Sequence, residues 1–206
     1  MAITYSQFLY TANQLKLEPA TLQAISKVES GGDCFLPDGR PKIVFYGHIF
    51  WNQLINAGLK PEEFVEGNED ILHQYLDKTK YSESLEYERQ ERAANIHERA
   101  ALLSASYGAF RIMGFNYAQC GFTSIEAFVD SMKEESLQLL AFAQFIKKNG
   151  LLIDLQEKNW SNFAHKYNVF AFKENNYAFK LQKQYNHFAD FEKTAEEQLL
   201  RDNIYV

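Results

Sequence analysis

The chain has 206 residues and a formal net charge of −6 at pH 7, with 27 acidic and 21 basic side chains. Nucleic-acid-binding proteins present a lysine- and arginine-rich face, so this acidic balance argues against that class and against non-specific adhesion to anionic surfaces. The length predicts one domain over residues 1–206, with a substantial core.

The sequence predicts neither a membrane-spanning helix nor a signal peptide. Hydrophobic residues make up 46% of the chain, but the mean hydropathy is −0.38 and no apolar run reaches the roughly 20 residues that span a bilayer. The first residues, Met-Ala-Ile-Thr-Tyr-Ser-Gln-Phe, lack the basic and then apolar layout of a signal peptide. We therefore expect synthesis in the cytoplasm.

The cysteines and histidines form no recognisable metal motif. Cys34 and Cys120 are expected to be free thiols, because cytoplasmic chains of this size rarely use disulfides. The five histidines are scattered, and no Cys/His spacing is typical of zinc sites. We expect no metal and no cofactor.

Helical periodicity begins near the start of the sequence. Thr4 and Ser6 are both suitable N-caps for a first helix that runs to about Lys16. A second helix is predicted to begin near Pro19, since proline is favoured in a first turn, and its apolar face leads to Glu29.

Glu29 is predicted to lie in the last turn of this second helix, because Gly31 and Gly32 follow it at once. The negative end of the helix dipole and partial desolvation both raise the pKa of a carboxyl in this position, which suits a general acid. The alternative is a solvated last-turn residue in front of a glycine stop.

The periodicity is interrupted over residues 33–45. Pro37, Asp38 and Gly39 form a turn signal, and Lys42–Phe45 is a short strand-like run. We expect a loop or a small β-hairpin immediately after Glu29.

The remaining sequence again predicts helices, so the fold class is mainly α. We expect a helix from His48 to Ala57, one or two short helices within residues 62–80, and a long helix over residues 81–106. One turn of helix is expected at residues 110–114. Later helices are predicted over residues 125–132, 137–149, 160–167 and 175–201. In the 62–80 segment the side chains predicted to face inward are Phe64, Val65, Ile71, Leu72 and Tyr75.

Three short motifs occur far apart in a fixed order: residues 24–32, which end in Glu-Ser-Gly-Gly, residues 104–114, and Tyr167-Asn168. Each alone has a structural explanation, but three together are far more specific. The pattern resembles the phage-type N-acetylmuramidase domain of endolysins and of some secreted wall-cleaving bacterial effectors. The matching segments are Ala24–Gly32, Asp38–His48, Arg99–Gly114, Asn116–Gly121, Trp160–Asn168 and Tyr177.

This resemblance implies a lysozyme-like helical domain with Glu29 as the catalytic acid. The bond cut would be the β-1,4 linkage from N-acetylmuramic acid (MurNAc) to N-acetylglucosamine (GlcNAc) in peptidoglycan. It also implies substrate contacts at Tyr46, His48, Ser106, Tyr107, Arg111, Tyr167 and Asn168. The alternatives are core packing for the tyrosines, a helix C-cap for Asn168 and orientation of the loop for His48.

Four positions depart from the pattern of the resembling family. Tyr46 stands where a second carboxylate is usual, Tyr107 replaces Trp, Arg111 replaces Gln, and Val169 replaces Gly. Hydrolysis of glycosides by the common routes uses two carboxyl groups.

The replacement at Tyr46 leaves several chemical routes open. Asp33, Asp38 or another acid could supply the second carboxyl, or a tyrosine hydroxyl could act as the nucleophile. A lytic transglycosylase needs only one Glu, because the muramyl C6 hydroxyl attacks internally. The remaining alternative is a decayed site that only binds glycan.

Arg111 has two alternative effects. Within about 6 Å of Glu29 it would favour the ionised carboxylate and lower its pKa. Directed at the substrate, it could hold a peptide-stem or lactyl carboxylate.

We therefore predict a monomeric peptidoglycan-cleaving muramidase, acting as a phage endolysin or as a delivered antibacterial effector. Its partners would be glycan strands of peptidoglycan and a holin or secretion machine that brings it to the periplasm, with an immunity protein in the effector case. The alternative function is a catalytically weak lysozyme-like module that binds wall glycan or a partner protein.

Overall fold

The computed structural model describes residues 2–77, 85–167 and 176–204, with side chains to residue 194. The predicted mainly α class is confirmed. The helices of the described residues are α1 (Tyr5–Leu15), α2 (Pro19–Ser30), α3 (Gly47–Asn56), α4 (Glu86–Leu103), α5 (Ile125–Ser131), α6 (Glu135–Lys148), α7 (Leu152–Gln156), α8 (Trp160–Tyr167) and α9 (Tyr177–Ile204). Within the described ranges, none of them is both long and apolar enough to cross a membrane.

The ends of α1 and α2 are fixed by local signals in the sequence. Thr4 caps α1 through a capping box with Gln7. Pro19 occupies the first turn of α2, and Gly31 ends the helix in the left-handed region at φ 76°. Glu29 therefore lies in the last turn of α2, as predicted.

The described strands form one antiparallel sheet in the order β1 (Ile43–Phe45), β2 (Ala105–Tyr107) and β3 (Ile112–Met113). The loop after α2 does turn back on itself through a bridge between Phe35 and Pro41. The strand-like run at residues 43–45 pairs with the distant β2, and its register aligns Val44 with Ser106.

Two predictions for residues 104–114 were wrong. The long helix ends at Leu103, and residues 105–107 form a strand where the sequence predicts helix. The expected turn of helix at 110–114 contains β3 and a 3-10 turn that begins at Gly114. The small apolar residues here satisfy a helical pattern equally well, and the hydrogen-bond partners that make them a strand come from β1.

The structure also breaks α4 at His97, whose backbone is non-helical at φ −159° and ψ 100°. The imidazole Nδ1 accepts a hydrogen bond of 3.1 Å from the Ala100 amide and so caps the second half of the helix.

The segment after α3 contains less helix than predicted. Only the 3-10 turn Pro61–Phe64 is helical in residues 57–77, and residues 78–84 lie outside the described part. Gly67, with φ 76°, lies in a turn that the Asn68 amide closes by donating to the Val65 carbonyl at 2.8 Å. Ile71 and Leu72 are buried as predicted, but Tyr75 is 77% exposed, so its predicted inward position was wrong.

Aromatic side chains fill much of the core. The Phe110 and Phe142 rings stack with centroids 4.1 Å apart. Cys34 and Cys120 are buried free thiols, as expected.

Candidate active site

Glu29 is the acid around which the candidate site is built. The residue is half-buried, and burial raises the pKa of its carboxyl from 4.5 to about 7. A hydrogen bond from Tyr177 and the positive charge of Arg111 act in the opposite direction. A carboxyl with this pKa is substantially protonated at neutral pH, as a general acid requires.

Tyr177, at the first position of α9, donates a hydrogen bond from its hydroxyl to Glu29 Oε1. Its side chain is buried, and burial together with the Glu29 charge raises the pKa of the phenol well above its usual value. Tyr177 therefore stays a donor throughout the physiological range. Tyr177 was among the positions that match the resembling family, but it was not predicted to be a site residue.

Tyr46 and Ser106 share the site with Glu29. Burial is the main cause that raises the pKa of Tyr46, the Ser106 side chain and Arg111 lower it, and the Glu29 charge raises it. The Tyr46 amide donates to the Ser104 carbonyl at 3.0 Å, which holds the start of α3 against the end of α4. The structure thus brings together four of the predicted site residues, namely Glu29, Tyr46, Ser106 and Arg111.

A buried ion pair fixes the backbone just before Tyr46. Glu86 accepts a hydrogen bond of 2.6 Å from the Phe45 amide, and Arg89 donates one of 3.1 Å to the Phe45 carbonyl. The two side chains lie 3.0 Å apart and are 2% and 4% exposed. These two charged side chains are buried because they hold the backbone of β1.

Arg111 lies in the turn between β2 and β3. It has φ 50°, a left-handed conformation that residues other than glycine rarely adopt. Its Nη1 is buried and meets no hydrogen-bond acceptor among the residues that the structure describes.

Tyr107 is turned away from Glu29, which corrects its predicted place in the site. Side chains alternate across a strand, so Ser106 and Tyr107 face opposite sides of the sheet. The Tyr107 ring is 3% exposed, and its hydroxyl accepts from Gln90 at 2.7 Å and donates to the Leu102 carbonyl at 3.0 Å. These contacts give it a packing role.

His48 and Tyr167 lie at the border of the site. The His48 ring meets the edge of Tyr46 at 6.0 Å and stacks on His73 at 6.2 Å. Burial, and then His73, lower its pKa. Tyr167 donates to the Phe110 carbonyl and feels the Glu29 charge. Asn168, another predicted contact, lies outside the described residues.

Neither aspartate of the loop after α2 is paired with Glu29. Asp38 forms an exposed ion pair of 2.6 Å with Arg40. Asp33 is 69% exposed at its side chain and lies 3.7 Å from Lys42. A cavity of about 400 Å³ on another face of α2 is lined by Gln23, Lys27, Asp33 and residues of α9, but not by Glu29.

Comparisons with known proteins identify a similar fold and a family. The chain is 34% identical to the chain in the crystal structure of the Burkholderia AP3 phage endolysin, with a TM-score of 0.80, and the match covers 92% of this chain and 72% of that one. This likeness confirms the lysozyme-like helical fold. No curated protein matches the chain at a significant level. The family model described as N-acetylmuramidase matches residues 18–189, which is well over half of the sequence, and the chain therefore belongs to the N-acetylmuramidase family.

Proposed function

We propose that the protein cleaves the glycan strands of peptidoglycan at the MurNAc to GlcNAc β-1,4 bond, with Glu29 as the acid and then the base. The observation that carries the proposal is the half-buried Glu29 at the end of α2, which accepts a hydrogen bond from Tyr177 and whose pKa is raised to about 7. Tyr46, His48, Ser106 and Arg111 are proposed to contact the substrate, and Tyr177 to orient the acid.

The arrangement favours a route that needs one carboxyl. Tyr46 stands where the resembling family usually has a second carboxylate, and the nearby aspartates Asp33 and Asp38 are exposed and lie beside Lys42 and Arg40. Glu29 would protonate the glycosidic oxygen as its bond to the muramyl C1 breaks. The resulting carboxylate would accept the proton of the muramyl C6 hydroxyl as O6 bonds to C1, which gives a 1,6-anhydro end and restores the acid. Hydrolysis would give a reducing end in its place.

The test is zymography on purified sacculi with the wild type, Glu29→Gln and Glu18→Gln. Glu18 is a matched control, since it lies at the other end of α2 and also accepts a hydrogen bond from a tyrosine of α9, Tyr185. Loss of a general acid costs about 10²- to 10⁴-fold in rate, so Glu29→Gln should clear almost nothing and Glu18→Gln should match the wild type. Equal clearing by all three, or none by the wild type, would reject the proposal. Mass spectrometry of the products separates the two routes.

A second function, glycan binding without cleavage, is favoured by Tyr46, which stands where a second carboxylate is usual, because hydrolysis by the common routes uses two carboxyl groups. Sedimentation with sacculi decides between the two functions, because a binding module would sediment and release no soluble fragments.

Either a holin-assisted endolysin or an effector carried by a secretion machine is consistent with the proposed activity. An immunity protein is expected only in the second case. Both routes require that the protein be harmless where it is made.

A further inference from the structure

The guanidinium of Arg111 is a partly buried cation without a described counter-ion. Its Nη1 meets no acceptor among the described residues. By contrast, the buried Arg89 is bound by the Glu86 carboxylate and by the carbonyls of Phe45 and Asp70. A buried donor of a charged group that lacks an acceptor is unfavourable, because it has left water without replacing the hydrogen bond.

The backbone of Arg111 adds a second unfavourable feature. Its φ of 50° crowds the Cβ of any L residue, and the turn that it occupies joins β2 to β3. Strained conformations of this kind concentrate at functional sites, where the surrounding structure holds a side chain for binding. Two independent costs at one residue therefore indicate a ligand for its side chain.

Arg111 lies close to Glu29 and Tyr46, so its ligand would lie there too. Its charge is felt by both Glu29 and Tyr46. It nevertheless forms no ion pair with Glu29 within the described part of the chain, so its hydrogen-bonding capacity is not used by the acid. The guanidinium thus carries its charge beside the bond that Glu29 would cleave and has no counter-ion among the described residues.

We propose that Arg111 binds a carboxylate of the glycan substrate next to the scissile bond. This inference rests on the proposed function. A planar guanidinium matches a carboxylate through two parallel hydrogen bonds. The muramyl lactyl ether ends in a carboxyl, which is free in peptide-free strands and amide-linked in strands that carry peptides, and the peptides bear carboxylates of their own. Strands of GlcNAc alone carry none.

The experiment compares three soluble ligands of equal sugar length: GlcNAc oligomers, peptide-free muramyl strands and peptide-bearing muramyl strands. Binding is measured by calorimetry in the Glu29→Gln background, so that no turnover is needed. Arg111→Gln should weaken the binding of the muramyl strand whose carboxylate Arg111 contacts about tenfold or more. It should leave the affinity for GlcNAc oligomers unchanged. Arg111→Lys should recover part of the lost affinity, since lysine keeps the positive charge but cannot donate two parallel hydrogen bonds. The muramyl strand that loses affinity identifies the source of the carboxylate.

Arg99→Gln is the matched control, because Arg99 is 49% exposed at its side chain and pairs with Glu126 at 3.7 Å. It should bind all three ligands as the parent does. Equal losses on all three ligands in Arg111→Gln, or no loss on any, would overturn the inference. Failure of the proposed function is recognised separately, as absence of cleavage by the wild type.

An activity measurement adds a readout that a packing role would not move. The charge of Arg111 lowers the pKa of Glu29. The variant Arg111→Gln should therefore keep Glu29 protonated to higher pH, and its activity should begin to fall at a higher pH than that of the wild type. If the folded variant loses activity at the same pH as the wild type, the guanidinium does not lie beside the acid.

Discussion

At the scale of single residues, the raised pKa of Glu29 lowers the stability of the folded state at high pH. Its carboxyl has a pKa of about 7 in the folded protein against 4.5 as the ordinary value, because burial disfavours the charged form. The folded state therefore holds its proton more tightly than the unfolded chain. Between these two values stability falls as pH rises, since the unfolded state releases the proton first.

We therefore predict that Glu29→Gln stabilises the protein at neutral pH. The shift from 4.5 to about 7 corresponds to about 3 kcal/mol. The full cost of the buried carboxylate is present above the folded pKa and vanishes below the unfolded one. Urea unfolding at pH 4 and at pH 8 measures it: the variant and the wild type should be close at pH 4, with the variant more stable at pH 8. A difference that does not depend on pH would mean that the pKa of Glu29 is not raised.

At the scale of secondary structure elements, the sequence predicted what local chemistry determines. Pro19 and Gly31 bound α2 by their own backbone preferences, so the position of Glu29 was found without knowledge of the fold. Tyr177 was missed as a site residue, because packing of α9 on α2 brings it to Glu29. Tyr107 was misplaced for the same kind of reason: its face follows from the pairing of β2 with β1, which local periodicity does not reveal.

The clamp on β1 yields a prediction at this scale. Glu86→Gln leaves the buried Arg89 without its counter-charge and weakens the hold on Phe45, next to Tyr46. We expect a loss of about 3–5 kcal/mol in the free energy of unfolding, measured by denaturant titration, together with lower activity.

The control for this prediction is Asp70→Asn, which breaks the pair with Arg92. Those side chains are 2.8 Å apart but 41% and 36% exposed. Exposed pairs contribute about 0–1 kcal/mol, so this variant should remain close to the wild type. Similar losses in both variants would show that burial does not distinguish the two pairs.

At the scale of the whole molecule, the site depends on contacts between distant parts of the chain. α2 supplies Glu29, the sheet and the start of α3 supply Ser106 and Tyr46, and α9 supplies Tyr177. The tyrosines of α9 reach both ends of α2, since Tyr185 donates to Glu18 as Tyr177 does to Glu29. The acid is therefore assembled only when α9 is docked, which couples the proposed activity to completion of the fold.

The proposed substrate lies beyond the cytoplasmic membrane, so toxicity should depend on where the folded protein is delivered. We predict that expression in the bacterial cytoplasm leaves growth unchanged, whereas export of the same chain behind a cleavable signal sequence lyses the culture. Exported Glu29→Gln should not lyse cells, because it folds but lacks the acid, and exported Glu18→Gln should lyse them like the wild type. Optical density and release of a cytoplasmic marker measure the outcome. Lysis by exported Glu29→Gln would place the damage outside glycan cleavage, and lysis without export would place the target inside the cytoplasm.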